Sequence, residues 1–510
     1  MHAKILSATT LGIAAHLVEV ECDLSLGMLD FFIVGLPDKA INESKERIRA
    51  ALKNSGLKIP ERVIVINLAP ASLKKIDILF DVAISVAILQ ASQLITLTPD
   101  FLQETLFLGE LMLDGRIRPV RGVLSIAHAA LQWGYKRIIV PKGNQFEAAL
   151  IKGLEVIGVE SVVELVAYLR GEATIKPTPS LFDDTLARAT WSGVDFNQVK
   201  GQFSAKRALQ IAATGGHNIL FVGPPGSGKT MLAKRLSTIL PPLTFDEIID
   251  ITKVYSVAGQ LGDQALVVER PFRNPHHTIS QAGLVGGGSN PKPGEITLAH
   301  RGVLFLDEFT EFSRPTLEVL REPLEQGSVH ISRAMMAVEY PAQFLLVAAL
   351  NPCPCGYFGD AIKKCVCLPQ QIVKYFGKLS GPLLDRIDLH VPVSAVHYDD
   401  IKDKNTVTRG SAEMYAEVLK AKEFQRQRAQ GVLNAQLKAQ EVEEFCILTE
   451  KAEEILKLAF ARLGLSMRAY HKVLKVARTI ADLEQSSVID RVHVQEAISY
   501  RSLDQKTQNS

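Results

Sequence analysis

A chain of 510 residues is long enough for about three domains. Its 47% hydrophobic and 22% charged residues are typical of folded, soluble protein. The formal net charge of +2 argues neither for nor against nucleic acid as a partner, because a local basic face can exist within a nearly neutral total.

The sequence also argues against secretion and against a membrane-spanning segment. The most apolar window, residues 82–89, is too short to cross a bilayer. The N-terminal stretch has His16, Glu19 and Glu21 where a signal peptide needs an apolar core. We therefore expect a cytoplasmic protein without membrane contact, whose six cysteines are reduced thiols or metal ligands and not disulfides.

Residues 1–170 alternate between strand and helix signals, which predicts an α/β domain. Strands are predicted at 18–22, 31–35, 63–67 and 137–141, and helices at 42–52 and 124–133. A linker is predicted at 171–189, around the Lys-Pro-Thr-Pro-Ser run at 176–180. From about residue 410 to 500 the pattern is helical, with few strand signals.

A glycine-rich loop stands between an apolar run at 218–222 and a helical pattern that begins at 231. The loop consists of Gly223, Pro224, Pro225, Gly226, Ser227, Gly228, Lys229 and Thr230. Strand, loop and helix in this order are what a phosphate-binding P-loop requires. Loop N–H groups and the helix N-terminus bind phosphates, Lys229 reaches the β- and γ-phosphates, and Thr230 can bind Mg²⁺. The sequence therefore predicts a site for a nucleoside triphosphate such as ATP, with Mg²⁺.

Two later strands end in polar residues that suit the same site. The apolar run 303–306 leads into Asp307 and Glu308, which fit the Mg²⁺-binding acid and the water-activating acid of a P-loop ATPase. The apolar run 344–350 ends at Asn351, whose amide could orient the attacking water. The alternative for Asn351 is a turn-forming residue before Pro352.

With these residues assembled, the chain resembles the ComM/YifB family of magnesium-chelatase-like AAA+ ATPases over nearly its whole length. Besides the P-loop, the resemblance rests on the strings at 34–38, 67–70, 109–111, 118–122, 276–278, 286–288, 302–308 and 351–356. It implies a fold of class α/β with three parts. These are an N-terminal Lon-protease-like (ribosomal S5 domain 2-like) domain at 1–170, a P-loop AAA+ core with a parallel sheet at 190–400, and an all-α lid at 401–510.

The resemblance further implies a homo-oligomeric ring, expected to be a hexamer, in which a neighbouring subunit completes each ATP site. Arg386, within the run 383–388, resembles the arginine finger of such rings, with a surface salt bridge to Asp385 or Asp388 as the alternative. Arg468 resembles the sensor arginine of the lid, with a solvated helix-end arginine as the alternative. Residues 199–202 lie where such proteins hold the adenine.

Two segments of the predicted core resemble insertions that face a ring pore. The gap between Lys229 and Asp307 is 78 positions (307 − 229), longer than a minimal core needs, and contains His276, His277 and the glycines at 286–288. We expect the histidine pair to be structural or close to DNA and not to bind metal. The second segment, 329–336, has strand-turn character, and its Arg333 could contact a phosphate backbone or lie plainly on the surface.

Four cysteines lie within 15 residues and form the pattern C-x-C-x9-C-x-C. They are Cys353, Cys355, Cys365 and Cys367. Four thiols so close together in a cytoplasmic chain suggest a structural Zn²⁺ site. Redox pairing and free thiols remain the alternatives, because zinc sites usually have two or more residues between paired cysteines. The isolated Cys22 and Cys446 are expected to be buried thiols.

The N-terminal domain resembles Lon proteases but lacks what proteolysis needs. Such a protease uses a serine activated by a lysine. Residues 75–82 contain no serine and residues 121–126 contain no lysine, so we expect no proteolysis. The domain could instead assemble rings or bind DNA through a basic face, and a solvated helix face is the plainer alternative. The basic residues concerned are Lys4, Lys45, Arg47, Arg49, Lys53, Lys58, Arg62, Lys74 and Lys75.

The leading hypothesis is an ATP-driven motor on branched or single-stranded DNA. The resemblance implies a hexameric helicase that promotes branch migration in recombination during natural transformation. The first alternative is a magnesium-chelatase-type ATPase subunit that remodels a partner complex. An ATP-dependent protease and a non-enzymatic scaffold are weaker alternatives, because the protease dyad is missing and the hydrolysis residues are present.

Overall fold

The computed structural model describes most of the chain. The described residues are 1–28, 30–73, 75, 78–180, 193–261, 266–288, 291–333, 336–360, 363–395, 409–429, 432–463 and 466–501. Parts of the predicted linker at 181–189 and of the predicted lid at 401–408 and 502–510 lie outside these residues, as does Lys74. The side chain of Arg333 also lies outside the description.

The N-terminal region is built on a seven-stranded mixed sheet. Its strand order is β3-β4-β2-β1-β5-β8-β9, and a separate two-stranded sheet pairs β6 with β7. The strands are β1 His2–Leu11, β2 Ala14–Ser25, β3 Asp30–Val34, β4 Val63–Ala69, β5 Thr105–Phe107, β6 Glu110–Leu111, β7 Ile117–Arg118, β8 Arg137–Pro141 and β9 Glu155–Val159.

Helices connect these strands and cover the sheet. The α-helices are Lys39–Asn42, Ser44–Asn54, Asp81–Ala91, Pro99–Glu104, Val123–Gln132, Gln145–Ala148 and Val162–Leu169, with a 3-10 turn at Lys142–Asn144. The apolar window expected to be too short for a membrane lies within Asp81–Ala91, which is almost entirely buried. Its lack of a polar face follows from this position, because a helix that is apolar all round must be enclosed by protein.

The core that carries the P-loop is a five-stranded parallel sheet with the order β11-β14-β17-β10-β18. Two hairpins, β12–β13 and β15–β16, lie outside it. The strands are β10 Ile219–Val222, β11 Phe272–Arg273, β12 Gly286–Gly287, β13 Lys292–Pro293, β14 Val303–Leu306, β15 Ser328–Arg333, β16 Met336–Pro341, β17 Leu345–Leu350 and β18 Leu389–Pro392. Strands β10, β14 and β17 are apolar along their whole length, as expected for parallel strands covered on both faces.

Helices flank this sheet and continue into the C-terminal region. In the core they are Phe203–Gly215, Lys229–Arg235, Phe245–Ala258, Gln281–Val285, Glu295–Leu298, Arg314–Glu318, Arg321–Gln326, Pro369–Phe376 and Gly381–Leu384, with 3-10 turns at Phe196–Gln198, Leu236–Ile239 and Phe309–Glu311. After residue 408 they are Ser411–Ala429, Ala439–Phe445, Glu450–Leu463, Met467–Leu483 and Arg491–Ser499, with a 3-10 turn at Asn434–Gln436.

The helical C-terminal region is docked on the core. Helix Met467–Leu483 packs against helix Phe203–Gly215, and both contribute to one apolar cluster. The buried His217 lies between them and the sheet, with Nε2 2.8 Å from the Thr479 hydroxyl and Nδ1 3.3 Å from an Asp388 oxygen. This contact adds a polar connection between helix Met467–Leu483 and the core.

The N-terminal region packs on the core through helix Phe245–Ala258. Ile248 and Ile249 of this helix are buried in one cluster with apolar residues of the first sheet and of helix Val123–Gln132. A polar contact lies within this apolar interface. The Ser256 hydroxyl donates to the buried carboxylate of Glu147 and accepts from the Gly122 N–H at 3.1 Å.

A second contact joins the tip of the β1–β2 hairpin to the β15–β16 hairpin. Leu11 and Ile13 pack against the cluster that contains β15 and β16. At Gly12, between them, a Cβ atom would lie 2.6 Å from Val338 Cγ1, so only glycine fits without movement. The N-terminal region therefore contacts two parts of the core, helix Phe245–Ala258 and the β15–β16 hairpin.

The sequence predictions for these elements are confirmed in outline. All four predicted N-terminal strands and the helix at 124–133 are present, as are the parallel sheet, the strand-turn segment near 329 and the helical region after 410. The helix predicted at 42–52 is interrupted at Glu43, which separates Lys39–Asn42 from Ser44–Asn54.

We predict that Ser256→Ala destabilises the junction between the N-terminal region and the core. The substitution leaves a buried N–H without its acceptor and removes a donor from a buried carboxylate, at a cost of about 1–3 kcal/mol. Thermal unfolding should show a lower Tm for Ser256→Ala than for Ser237→Ala, whose hydroxyl donates only to the Lys234 carbonyl at an exposed position. Equal Tm values for the two variants would contradict this account.

Candidate functional site

Three strands of the core sheet end at the same edge, where the predicted site residues follow them. In the parallel register Val222 of β10 pairs with Leu350 of β17, and Leu306 of β14 pairs with Ala348. The P-loop, Asn351 and Asp307 therefore start within a few residues of one another. The structure brings these three predicted parts of the site together.

The Lys229 side chain is held against the P-loop. Its Nζ atom lies 2.7 Å from the Gly223 carbonyl oxygen, 2.9 Å from that of Pro224 and 3.2 Å from Asn351 Oδ1. Burial lowers the pKa of Lys229, and the charge of Asp307 acts in the opposite direction. Among the described residues, the hydrogen bonds of this buried ammonium go only to neutral oxygens, so it is suited to bind an anion.

The loop geometry fits a phosphate. Gly226 and Gly228 have φ angles of +79° and +89°, which glycine adopts without strain and which turn the backbone around the loop. The Ser227 hydroxyl is buried and has no hydrogen-bond partner among the described residues. Because an unpaired buried hydroxyl is costly, a ligand oxygen at this position would satisfy it. Lys229, Ser227 and the loop N–H groups would hold the phosphates of a nucleotide.

Thr230 and Asp307 form a pair of oxygen ligands at the same edge. The Thr230 hydroxyl donates to Asp307 Oδ2 at 2.6 Å. Hydroxyl and carboxylate oxygens are ligands that Mg²⁺ prefers, so the two residues would hold the ion beside the phosphates. Their contact places the beginning of helix Lys229–Arg235 next to the end of β14.

Glu308 follows Asp307 with an unusual backbone. Its φ angle is +50°, and its N–H donates to Asp307 Oδ1 at 2.9 Å. Its carboxylate contacts His277, with Oε2 3.2 Å from Nδ1 of the ring. The sequence did not predict this contact, although the two residues follow neighbouring parallel strands.

Arg386 lies at the opposite edge of the sheet. Its carbonyl accepts from Asn218 Nδ2 at 3.2 Å, and Asn218 directly precedes β10, whereas the P-loop directly follows it. A strand of four residues spans about 13 Å. The guanidinium pairs with Glu325, a partner that the sequence did not predict, in place of Asp385 or Asp388. Arg386 therefore does not reach the P-loop of its own chain.

Arg468 is on the same side as Arg386. It lies in the first turn of helix Met467–Leu483, one turn before Lys472, whose Nζ is 2.7 Å from Asp388 Oδ1. The hydrogen bond from Arg386, and then the charges of Arg386 and Arg468, lower the pKa of Glu325. Arg468 is exposed at the beginning of its helix, as in the helix-end alternative, and its charge acts on the carboxylate that Arg386 contacts.

The segment expected near the adenine does lie beside the P-loop. Gln202 Nε2 is 3.4 Å from the Ser227 carbonyl oxygen and 2.7 Å from that of Ser394. The buried Lys206 ammonium donates to the Val199 carbonyl at 2.7 Å, which fixes the segment against its own helix. Residues 199–202 therefore form one wall of the candidate nucleotide site.

The four cysteines converge at a single point. Their sulfur atoms all lie within 4.8 Å of one another, and the Cys353–Cys355, Cys353–Cys365 and Cys355–Cys365 sulfur distances are 3.3, 3.6 and 3.6 Å. Four sulfurs bound to one Zn²⁺ at about 2.3 Å are about 3.8 Å apart in a tetrahedron. The donor set therefore fits a structural metal ion.

The cysteine cluster adjoins the nucleotide site. Cys353 is two residues after Asn351, and a Cβ atom at Gly356 would lie 2.6 Å from Pro225 Cδ of the P-loop. The other two cysteines are buried as expected, and burial raises the pKa of both Cys22 and Cys446 to about 12.

The predicted basic face of the N-terminal domain is wrong for two of its members. Lys75 is fully buried, and its ammonium donates to the carbonyls of Gly35 at 3.0 Å, of Leu68 at 2.7 Å and of Pro70. Arg47 is turned inward, where Nε donates to the buried carboxylate of Asp81 at 3.0 Å. Sequence position alone does not show these tertiary contacts, which remove both charges from any nucleic-acid surface.

Known proteins match the chain from end to end. Sequence models match for "Subunit ChlI of Mg-chelatase" over residues 20–144, "Magnesium chelatase, subunit ChlI" over 195–401 and "Magnesium chelatase, subunit ChlI C-terminal" over 408–501. The chain is 42% identical over 495 residues to YifB of Escherichia coli K12, with 97% of this chain and 96% of the relative covered. It is 42% identical over 504 residues to competence protein ComM of Haemophilus influenzae, with 98% and 97% covered.

The chain belongs to the ComM/YifB family of magnesium-chelatase-like AAA+ ATPases. This membership and the parallel core sheet confirm the predicted family and fold class. Membership of this family implies that the protein is an ATPase, with a nucleotide and Mg²⁺ as ligands. Among the described residues, no helix combines the length and the apolar character needed to cross a membrane.

For this member of the ComM/YifB family we predict that Glu308→Gln binds ATP but hydrolyses it roughly 10²–10⁴-fold more slowly. The amide keeps the size of the side chain and cannot accept a proton from water. Steady-state ATPase and nucleotide-binding assays check this. Glu311→Gln is the matched control, because Glu311 lies three residues on and pairs with Lys378 at 3.6 Å. If the ATPase rate of Glu308→Gln were within a few-fold of the rate of Glu311→Gln, Glu308 would not be the base.

Proposed function

We propose that this protein is an ATP-driven ring motor that acts on DNA, as a helicase promoting branch migration in recombination. In each subunit Lys229, Ser227 and the P-loop bind the phosphates, while Thr230 and Asp307 hold Mg²⁺. Glu308 takes a proton from the attacking water, and Asn351 orients that water. Mg²⁺ supplies positive charge against the phosphate oxygens when bound.

One observation supports a ring above all others, namely the separation of Arg386 from the P-loop of its own chain. An arginine that contacts the γ-phosphate must come within hydrogen-bond distance of it. Arg386 contacts the residue before the start of β10, whereas the P-loop follows the end of β10. The length of the strand, about 13 Å, therefore separates the two. The P-loop of a second copy is therefore the partner we assign to Arg386, and also to Arg468 on the same side. A hexamer is the ring size proposed.

The assignment to DNA rests on family membership and not on a basic surface. A full-length relative is named competence protein ComM, which links such chains with competence. The alternative is a magnesium-chelatase-type subunit that remodels a partner complex, because all three matching sequence models carry the magnesium chelatase name. Response of the ATPase to DNA separates the two proposals.

We expect four-way-junction DNA to raise the ATPase rate and to be converted into unwound or migrated products. A linear duplex of the same length is the control for simple electrostatic binding, and salt should be held constant, since phosphate contacts weaken as salt rises. An ATPase that ignores junction DNA, with no product formed, would leave the chelatase-type alternative in place.

The shared site is tested by mixing inactive subunits. Arg386→Ala subunits keep an intact P-loop, and Lys229→Ala subunits keep an intact arginine, so a mixed ring contains some complete sites. We expect the mixture to recover ATPase activity above either variant alone. A mixture of Lys229→Ala with Glu308→Gln is the control, because both changes disable the site within one chain and no order of subunits restores it. Absence of recovery with Arg386→Ala would contradict the trans assignment.

We also propose that the four cysteines hold one structural Zn²⁺. Purified protein should contain about one equivalent of zinc per chain, and Cys365→Ser should lose most of it, since three thiolates bind less tightly than four. Cys446→Ser is the control, because Cys446 is buried far along the chain in the helical region. Zinc below a few tenths of an equivalent, with four free thiols, would contradict the proposal.

A further inference from the structure

The cysteine loop, residues 353–368, carries apolar side chains that face solvent. Val366, between two of the cysteines, is 83% exposed, Leu368 is 64% exposed, and Phe358 is exposed as well. Because the four sulfur atoms lie within 4.8 Å of one another, these side chains belong to one small unit. Neither the proposed zinc site nor the nucleotide site uses them. Apolar side chains grouped at a surface are typical of an interface with another molecule.

The same loop is also basic. It contains Lys363, Lys364 and a single acid, Asp360, whose Oδ1 accepts from the Lys363 N–H at 2.7 Å. The Lys363 ammonium lies over the Tyr357 ring, 4.9 Å from its centroid. Lys364 is exposed and has no ion pair among the described residues. We call Phe358, Lys364, Val366 and Leu368 the cysteine-loop surface.

The cysteine-loop surface adjoins the nucleotide site. A Cβ atom at Gly356 would lie 2.6 Å from Pro225 Cδ of the P-loop. Two residues before Cys353, the Asn351 amide oxygen lies 3.2 Å from Lys229 Nζ. A second chain whose side chain reaches phosphates bound at this P-loop therefore comes close to the cysteine-loop surface.

The side of the core that carries Arg386 has complementary groups. Glu325, which pairs with Arg386, is exposed, and so is Glu322, three residues earlier on the same helix. Residues three apart on a helix lie on one side of it. Met467, which precedes Arg468, is an exposed apolar side chain near these carboxylates, since the charge of Arg468 acts on Glu325. Exposed acids and an apolar side chain thus stand together here.

We propose that the cysteine-loop surface docks on a second copy of this chain, against its Glu322, Glu325 and Met467. This rests on the proposed role of Arg386 at a neighbour's P-loop. When Arg386 turns to phosphates held by the neighbour, Glu325 loses its own cation and is brought towards the neighbour's Lys364. Opposite charges and apolar side chains then meet across the contact.

A second copy fits this surface better than DNA does. Binding to a phosphate backbone depends on several cations, whereas the loop has two lysines, one acid and three exposed apolar side chains. Its position beside the P-loop also matches the place where the neighbour's arginine is proposed to arrive. The cysteine loop is then a part of the subunit interface and not only a support for Asn351.

Assembly of the full chain, measured by sedimentation velocity over a range of concentrations with Mg²⁺ and a non-hydrolysable ATP analogue, tests the interface. Val366→Asp should raise the concentration for half-assembly by about tenfold or more, because it places a charge in an apolar contact. Val163→Asp should assemble like wild type, since Val163 is an equally apolar, exposed residue on helix Val162–Leu169 of the N-terminal region.

A charge exchange supplies the second test, at low salt. Lys364→Glu and Glu322→Lys should each raise the concentration for half-assembly by about threefold or more, as expected for loss of an exposed ion pair repeated around a ring. The two changes in one chain should return it to within about twofold of wild type. Glu322 is chosen over Glu325 because Glu325 contacts Arg386. Recovery in the double variant is a result that misfolding of a single variant does not produce.

The outcomes separate this inference from the proposed function. If the wild-type chain stays monomeric with the analogue, the proposed ring fails, and this interface fails with it. If wild type assembles and Val366→Asp and Lys364→Glu assemble equally well, the interface alone is overturned. Variants that assemble normally but lose stimulation of the ATPase by junction DNA would assign the loop to nucleic acid and overturn it too.

Discussion

Parallel pairing of β10, β17 and β14 is the constraint on which the nucleotide site depends. Because these strands run in one direction and in register, whatever follows each of them must meet at one edge of the sheet. Lys229, Asn351 and the Thr230–Asp307 pair are thus assembled from three distant parts of the sequence. For the same reason, residues that precede a strand, such as Arg386 before β18, lie at the opposite edge of the sheet. Division of the proposed catalytic groups between two edges is a consequence of the sheet itself.

The sequence is informative about the site wherever a motif ends a strand. The P-loop, Asp307 and Asn351 each follow an apolar run long enough to be recognised, and parallel strands then determine their meeting point. His277 could not be assigned in this way, because β11 has only two residues and gives no periodic signal. The inward contacts of the buried Lys75 and the half-buried Arg47 were equally hidden, since their partners, the Gly35 carbonyl and Asp81, become neighbours only through tertiary packing.

The cysteine loop and the nucleotide site share a wall. Asn351, Pro352 and Cys353 are consecutive, and Gly356 rests on Pro225 of the P-loop. A metal ion bound by the four thiolates would close this loop into a rigid unit, because each ligand bond removes freedom from a segment whose described residues form no helix or strand. The metal-closed loop would then help to hold Asn351 in position relative to Lys229. This support would come from metal–ligand bonds and not from apolar packing.

The contacts of the N-terminal region have a consequence for the autonomy of the ATPase core. Ile248 and Ile249 are buried in a cluster that consists mostly of residues of the N-terminal region, and Gly122 provides the donor for Ser256. A core expressed from residue 190 onward would present this apolar strip to water and leave a β15–β16 hairpin without the cap formed by Leu11 and Ile13. The N-terminal region is therefore better understood as part of the frame of the ATPase core than as an appended module.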